Sequence, residues 1–368
     1  MSIKGKKITL ICGASQTVLT FRKKFIERLI GLNCKVSLIV FDDKFINYFR
    51  EIGVEVFVVG SDNRSLNPIE ALKLKKSYKK IIKMISPDIV FTFMLKPNIF
   101  GSISAKEAGV KKIYSMVEGA GDVFANRGFK WSVIRFIICF FYKIAFKNCN
   151  KVFFLNNDDK QEFVSRKILK EDQCYNVFGI GVDLDKFCFT KISNDAHFLM
   201  VARMLKTKGV LEYCKCAREV KKKYPNAVFE YLGDEGTVKL SEIREFISDG
   251  SIIYHGFNEN VLPYLQKTAV FCLPSYYREG MPMSIMEAQS VGRVVITTNN
   301  VGCRDTVIDG YNGFLVEVKD YRSLIEKCIW CIENFEKVVE MGVNARCFAE
   351  KNFDSNKIND EIISILER

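Results

Sequence analysis

Only two histidines, His197 and His255, occur in the 368 residues, and this scarcity removes a histidine-based zinc centre from consideration. No stretch of about 18 uncharged apolar residues exists, so no membrane-spanning helix is expected. The opening Met1-Ser2-Ile3-Lys4-Gly5-Lys6-Lys7 is basic, but the apolar run after it is short and strand-like, unlike a secretory signal. A dinucleotide G-x-G-x-x-G is missing; Gly119-Ala120-Gly121 comes nearest, with Phe124 in place of the third glycine. RNP, KH and helix-turn-helix patterns are missing too, so no nucleic-acid partner is expected. Neither short-period repeats nor low-complexity segments interrupt the chain.

Apolar residues make up 48% of the sequence, and the length suits two domains with separate cores. Thirteen cysteines without a secretory signal imply reduced thiols and a cytoplasmic setting. Cys328-Ile329-Trp330-Cys331 has C-x-x-C spacing, but it sits inside a helix-like run, where apolar packing explains it better than redox chemistry. A net charge of +12 calls for an acidic partner. Residues 73–83 carry Lys73, Lys75, Lys76, Lys79, Lys80 and Lys83 between apolar positions. Residues 129–147 are almost wholly apolar and aromatic apart from Lys130, Arg135, Lys143 and Lys147. Basic, aromatic helices of this kind suit peripheral attachment to an anionic membrane surface; a solvated face and a buried core helix remain the alternative.

β-like runs alternate with helix-like segments throughout, the pattern of doubly wound parallel sheets. Strands are predicted over 7–12, 35–41, 54–59, 88–93, 112–117 and 151–156, with a helix over 20–32. After a break near 178–189 the alternation restarts, with strands over 198–201, 227–232, 252–254, 269–273 and 294–297. The expected architecture is α/β, with two Rossmann-like domains facing each other across a cleft. Residues 1–185 form the first and 186–348 the second, and a C-terminal helix over 349–368 packs back toward the first.

The most informative stretch runs from Glu279 to Glu287, between the strand ending at Leu273 and a helix ended by Gly292. Unpaired N–H groups at such a helix start attract phosphate, while flanking carboxylates accept hydrogen bonds from sugar and ribose hydroxyls. A nucleotide-sugar carries those parts in that order. The same residues also read as a capping box, Ser284-x-x-Glu287. Arg203 and Lys208 follow the first strand of the second half. Fixed cations there would stabilise a departing diphosphate more in the transition state than in the ground state.

Leu273-Pro274-Ser275, then Glu279-x7-Glu287 with Gly280-x-Pro282 inside and Ala288 closing it, resembles the donor-site signature of retaining GT-B glycosyltransferases of the glycosyltransferase group 1 family (family 4). Val201-Ala202-Arg203-x4-Lys208-Gly209 is similar to that family's diphosphate-holding element. The resemblance implies that Arg203 and Lys208 hold the donor diphosphate, that Glu279 contacts donor-sugar hydroxyls and that Glu287 contacts the ribose. Gly280, Met281, Pro282 and Met283 would then line the sugar and phosphates. The stretch from Gly302 to Val316 also resembles the family, with Asp305 for its usual glutamate, and reads mainly as turn chemistry. Asp183-x-Asp185 lies in the Gly-Val-Asp-x3-Phe element that the family places near the domain junction, which implies metal independence. No cofactor is implied.

The first half would hold the acceptor, with Gly13, Ala14 and Ser15 after one strand and Glu118 and Gly119 after another. Glu118 would replace a histidine common in the family, as acceptor ligand or base. Gly13-Ala14-Ser15, Asn63-Arg64-Ser65-Leu66-Asn67-Pro68, Val117-Glu118-Gly119-x-Gly121, Gly128-Phe129-Lys130 and Leu155-Asn156-Asn157 resemble one subgroup. Its members are α-1,3-N-acetylgalactosaminyltransferases acting on undecaprenyl-diphosphate-linked amino sugars in bacterial glycan assembly. The resemblance implies a retaining, metal-independent hexosyltransferase that uses UDP-GalNAc at the cytoplasmic face of an inner membrane. Its product would serve O-antigen, lipopolysaccharide or related glycan synthesis. A nucleotide-sugar epimerase or hydrolase on the same fold is an alternative, and a basic nucleic-acid-binding protein is one from another class.

Overall fold

The alternating pattern resolves into two parallel sheets, each belonging to one compact unit of the chain. The computed structural model describes residues 2–61, 67–193 and 196–368. The first unit comprises Met1–Val177 with Asn356–Arg368, and the second comprises Phe178–Ser355. This division falls a few residues before the 185/186 boundary expected from the sequence. Residues 63–66 of the subgroup motif lie outside the described residues.

In the first unit β1 (Lys7–Ile11), β2 (Lys35–Val40), β3 (Glu55–Val58), β4 (Ile89–Phe93), β5 (Lys112–Val117), β6 (Lys151–Phe154) and β7 (Cys174–Asn176) lie in the order β3-β2-β1-β4-β5-β6-β7. All neighbours are parallel. The central strands are covered on both faces, which is why β4 and β5 are mostly apolar rather than alternating, and their buried hydroxyls, Thr92 and Ser115, hydrogen-bond to each other at 2.7 Å. One face packs on Leu74, Tyr78 and Ile82 of the helix Pro68–Ile85 and on Ile138, Tyr142 and Phe146 of the helix Phe129–Phe146. The last helix is Ser355–Glu367 rather than the expected 349–368, because residues 349–352 end the preceding helix Phe335–Asn352. It is tied to this unit by Arg28, which pairs with Asp360 at 2.8 Å, and by Tyr175, which donates to Glu361 at 2.8 Å. Strand order reverses between β1 and β4, the switch point where loops part and ligands bind in such sheets.

The second unit builds β8 (His197–Val201), β9 (Val228–Leu232), β10 (Ile253–Tyr254), β11 (Val270–Leu273), β12 (Val294–Thr298) and β13 (Gly313–Val316) into the order β10-β9-β8-β11-β12-β13. Its switch point lies between β8 and β11. Cys328 and Cys331 are buried in the helix Tyr321–Glu333, and Cys216 Sγ of the helix Val210–Lys223 lies 3.8 Å from Cys328 Sγ. Burial pushes these thiols up, the opposite of what thiolate chemistry needs.

Three expectations change. The helix expected over 20–32 is two helices, Ser15–Phe21 and Lys23–Gly31, broken at Arg22, whose φ of −124° and ψ of −3° turn its side chain inward. Lys75 and Lys79 are not part of a freely solvated face, because both pair with Glu107, at 2.5 and 3.0 Å. β7 and β13 go unread in the sequence; β7 has three residues, and β13 is the end of the stretch read as turns.

Gly209 sets the loop after β8: it has φ +77°, and a Cβ there would overlap the Pro274 carbonyl. Gly250 has nearly the same φ, +75°, but faces open space. Gly250→Ala therefore carries only the left-handed backbone cost, about 1–2 kcal/mol. Gly209→Ala adds a steric term and should lose at least about 1 kcal/mol more. Urea unfolding of both variants measures the difference, and equal losses would mean that the β8 and β11 loops are not in close contact.

Candidate active site

A charge taken out of water needs a partner, and the second unit meets that demand at its switch point. Lys208 ends a short 3-10 turn, Lys206–Lys208, after β8, while Glu279 lies in the loop after β11. Their side chains form an ion pair, 18% and 11% exposed. Removing one partner would leave the other charge poorly compensated. Ser275 Oγ donates to Glu279 Oε1 at 3.1 Å and is itself buried. The Tyr277 ring lies 5.6 Å from Lys208 Nζ. Two further links join the loops: Tyr276 N–H donates to the Thr207 carbonyl at 2.8 Å, and Asn300 Nδ2 donates to the Tyr277 carbonyl at 2.8 Å. Gly302 closes the arrangement, since a Cβ there would come within 2.7 and 2.8 Å of the Glu279 and Gly280 carbonyls. Only the first part of the Gly302–Val316 stretch is turn chemistry, since Gly313–Val316 is β13; Asp309 accepts from Leu315 N–H at 2.9 Å and Asn312 from Ile308 N–H at 2.7 Å.

Arg203 leaves the end of β8 with an exposed side chain. The helix Met283–Ser290 begins after Pro282, and no side chain caps it. The capping box read from Ser284-x-x-Glu287 does not form, because the cap position belongs to Pro282. Ile285 N–H bonds back to the Pro282 carbonyl at 3.2 Å, and the first N–H groups of such a helix are donors suited to an anion. Met281 is buried, its sulfur near Gly179, so only its backbone remains to face a ligand. Asp183 accepts from the N–H groups of Asp185 and Lys186, both at 3.3 Å, so its carboxylate holds a turn.

In the first unit a second enclosed pair forms between Arg22 and Glu118. Arg22 is 5% exposed, and its guanidinium carbon lies 4.3 Å from the Phe93 ring centroid. The pair draws the loop after β5 toward the segment after β1. Ser15 is occupied: its hydroxyl donates to Asp42 at 2.5 Å and accepts from Phe45 N–H at 3.2 Å, fixing the Gly13-Ala14-Ser15 turn. Beyond Glu118 and Gly119, Ala120 N–H donates to buried Asp159 at 2.9 Å. The sequence reading missed Arg22, Asp159, Ser275 and Tyr277. Of these only Ser275 carried a signal, as the last residue of the Leu-Pro-Ser run.

The sequence model of the family described as "Glycosyl transferases group 1" matches residues 183–348, and that of "Glycosyl transferase 4-like" matches 7–156. The chain is 29% identical over 98% of both sequences to the N,N'-diacetylbacillosaminyl-diphospho-undecaprenol alpha-1,3-N-acetylgalactosaminyltransferase of Campylobacter jejuni. It is 28% identical to the UDP-Gal:alpha-D-GlcNAc-diphosphoundecaprenol alpha-1,3-galactosyltransferase of Escherichia coli, covering 90% of this chain and 87% of that protein. Among solved structures, a glycosyltransferase from Rickettsia africae superposes with TM-score 0.81 at 20% identity, over 98% of each chain. Anabaena HepE in complex with UDP superposes with TM-score 0.79 at 17% identity, over 98% and 99%. These likenesses show the fold, which is GT-B.

Glu287 offers a direct physical handle. Burial raises its carboxyl to about 7, against the opposing pull of Lys186. The folded chain then keeps a proton that the unfolded chain has released, so this carboxyl destabilises the fold progressively from about pH 4.5 to 7 and no further above that. Relative to Glu287→Gln, the parent protein should lose stability as pH rises through that window, measured by urea unfolding. A pH-independent difference would place the carboxyl in solvent.

Proposed function

We propose that this chain, which belongs to the glycosyltransferase group 1 family, is a retaining hexosyltransferase that moves GalNAc from UDP-GalNAc, in α-1,3 linkage, onto an undecaprenyl-diphosphate-linked saccharide. Such a product would enter O-antigen or related surface-glycan synthesis, and the enzyme would work peripherally at an anionic inner-membrane surface. The Lys208–Glu279 pair beside an uncapped helix start carries this reading. The relatives whose names specify undecaprenyl-diphosphate acceptors and α-1,3 transfer support the acceptor and linkage.

The chemistry follows from charge. With donor bound, the β-phosphate replaces Glu279 as the partner of Lys208, joined by Arg203 and by the N–H groups at the start of Met283–Ser290. The released Glu279 carboxylate accepts from sugar hydroxyls, while Glu287 accepts from the ribose, and Gly280, Met281 and Pro282 present backbone to the sugar. The bond between the anomeric carbon and the β-phosphate oxygen breaks, and the acceptor hydroxyl oxygen bonds that carbon on the same face. The hydroxyl proton passes to the departing phosphate oxygen, and UDP leaves. Lys208 and Arg203 supply the positive charge that the leaving group needs, which supports transfer without a metal. Gly13, Ala14, Ser15, Glu118 and Gly119 belong to the acceptor side, with Glu118 steadied by Arg22.

Lys208→Ala and Glu279→Ala should each lower transfer about 100- to 1,000-fold while the variants remain folded. The assay uses a lipid-linked acceptor with UDP-, GDP- and ADP-sugars in parallel, and the anomeric configuration of the product is read by NMR. Full activity in both variants would remove the donor-site assignment. A β-configured product would remove retention alone.

A further inference from the structure

We infer that the outer face of the helix Phe129–Phe146 is a bilayer-docking surface that lies flat in the headgroup region of an anionic membrane, with its phenylalanines among the acyl chains. The inner side of this helix is spoken for by Ile138, Tyr142, Ala145 and Phe146, which are buried in the core of the first unit. On the opposite side Phe129 is 88% exposed, Phe136 75% and Phe140 57%, with Val133 and Ile137 exposed between them and Ile144 beyond them. Their spacing of three and four residues makes one continuous stripe. Single exposed apolar side chains are ordinary, but a stripe along four turns marks a surface meant for contact.

Charge selects the occupant. No acidic residue lies between Phe129 and Lys147, while Lys130, Lys143 and Lys147 border the stripe and are exposed. The helix Pro68–Ile85 packs on the same core cluster and exposes Lys73, Lys76, Lys80 and Lys83 together with Ile69, Leu72 and Met84. A second copy of the chain would set these lysines against each other. Acidic headgroups above an apolar layer match both features, with lysine stems reaching up to phosphate while the rings insert. No helix among the described residues is long and apolar enough to cross a membrane, so the contact is with one leaflet. This deepens the proposed peripheral attachment and rests on that reading for its purpose, but its test requires neither donor nor acceptor.

The protein is sedimented with vesicles of phosphatidylcholine, with and without phosphatidylglycerol. Phe136→Ser/Phe140→Ser should lower association with the acidic vesicles at least about tenfold. Lys143→Glu/Lys147→Glu should abolish the preference for the acidic lipid, and Phe257→Ser, an exposed phenylalanine of the second unit, should change nothing. A UDP-induced rise in melting temperature, equal in all variants, shows that they are folded and tests the donor site separately. Undiminished sedimentation of the phenylalanine variant would overturn the inference. So would a parent protein that ignores acidic vesicles, or one that forms a dimer through this face, dissolved by the same substitutions.

Discussion

An ammonium and a carboxylate held away from water at a switch point must answer each other, and the second unit is arranged around that requirement. Lys208 and Glu279 are 71 residues apart in sequence, and neither could be enclosed without the other. Their meeting depends on backbone: the left-handed Gly209 against the Pro274 carbonyl, Gly302 against the carbonyls of Glu279 and Gly280, and Ser275 beneath the carboxylate. An ion pair this enclosed adds little net stability, because desolvation offsets most of the attraction. It holds instead a cation and an acid in register, and an anionic ligand of matching shape can take the place of either partner.

The first unit repeats this logic with different residues. Arg22 interrupts what would otherwise be one helix and points inward to Glu118, across the β4 strand that separates β1 from β5. The helix break and the long-range ion pair thus fall on the same residue. Glu118 has in Arg22 a counterion that Glu279 has in Lys208. The difference is Arg22's deeper burial against Phe93 and Met116, which fixes the guanidinium as part of the framework.

Much of this was legible because parallel strands covered on both faces are largely apolar. β1, β2, β4, β5, β8, β9, β11 and β12 all announced themselves as Val-, Ile- and Phe-rich runs. Short edge strands such as β7 bury little and leave no such mark. Motif spacing pointed to Lys208, Glu279 and Glu287 because glycine-bearing loops after strands have few structural solutions. Partners such as Arg22 and Asp159 were invisible, since a single sequence carries no sign that residues 96 or 39 positions apart will meet. The Ser284-x-x-Glu287 box was legible but wrong: Pro282, with its fixed φ, starts the helix two residues early.

The helix Phe129–Phe146 marks the other boundary of sequence reading. Apolar residues occupy nearly its whole circumference, and periodicity cannot separate a core helix from one that greases a surface, because both sides satisfy an apolar pattern. What separates them is the depth of the sheet beneath. The core accepts one stripe, Ile138, Tyr142, Ala145 and Phe146, and is then full; Tyr142 meets Phe163 edge-on and Phe146 lies tilted against it. Phe129, Phe136 and Phe140 find no space in that core and stand in solvent, where they contribute nothing to folding. Lysines at the margins of the same stripe keep such a face soluble, and they also set the sign of the surface it can meet.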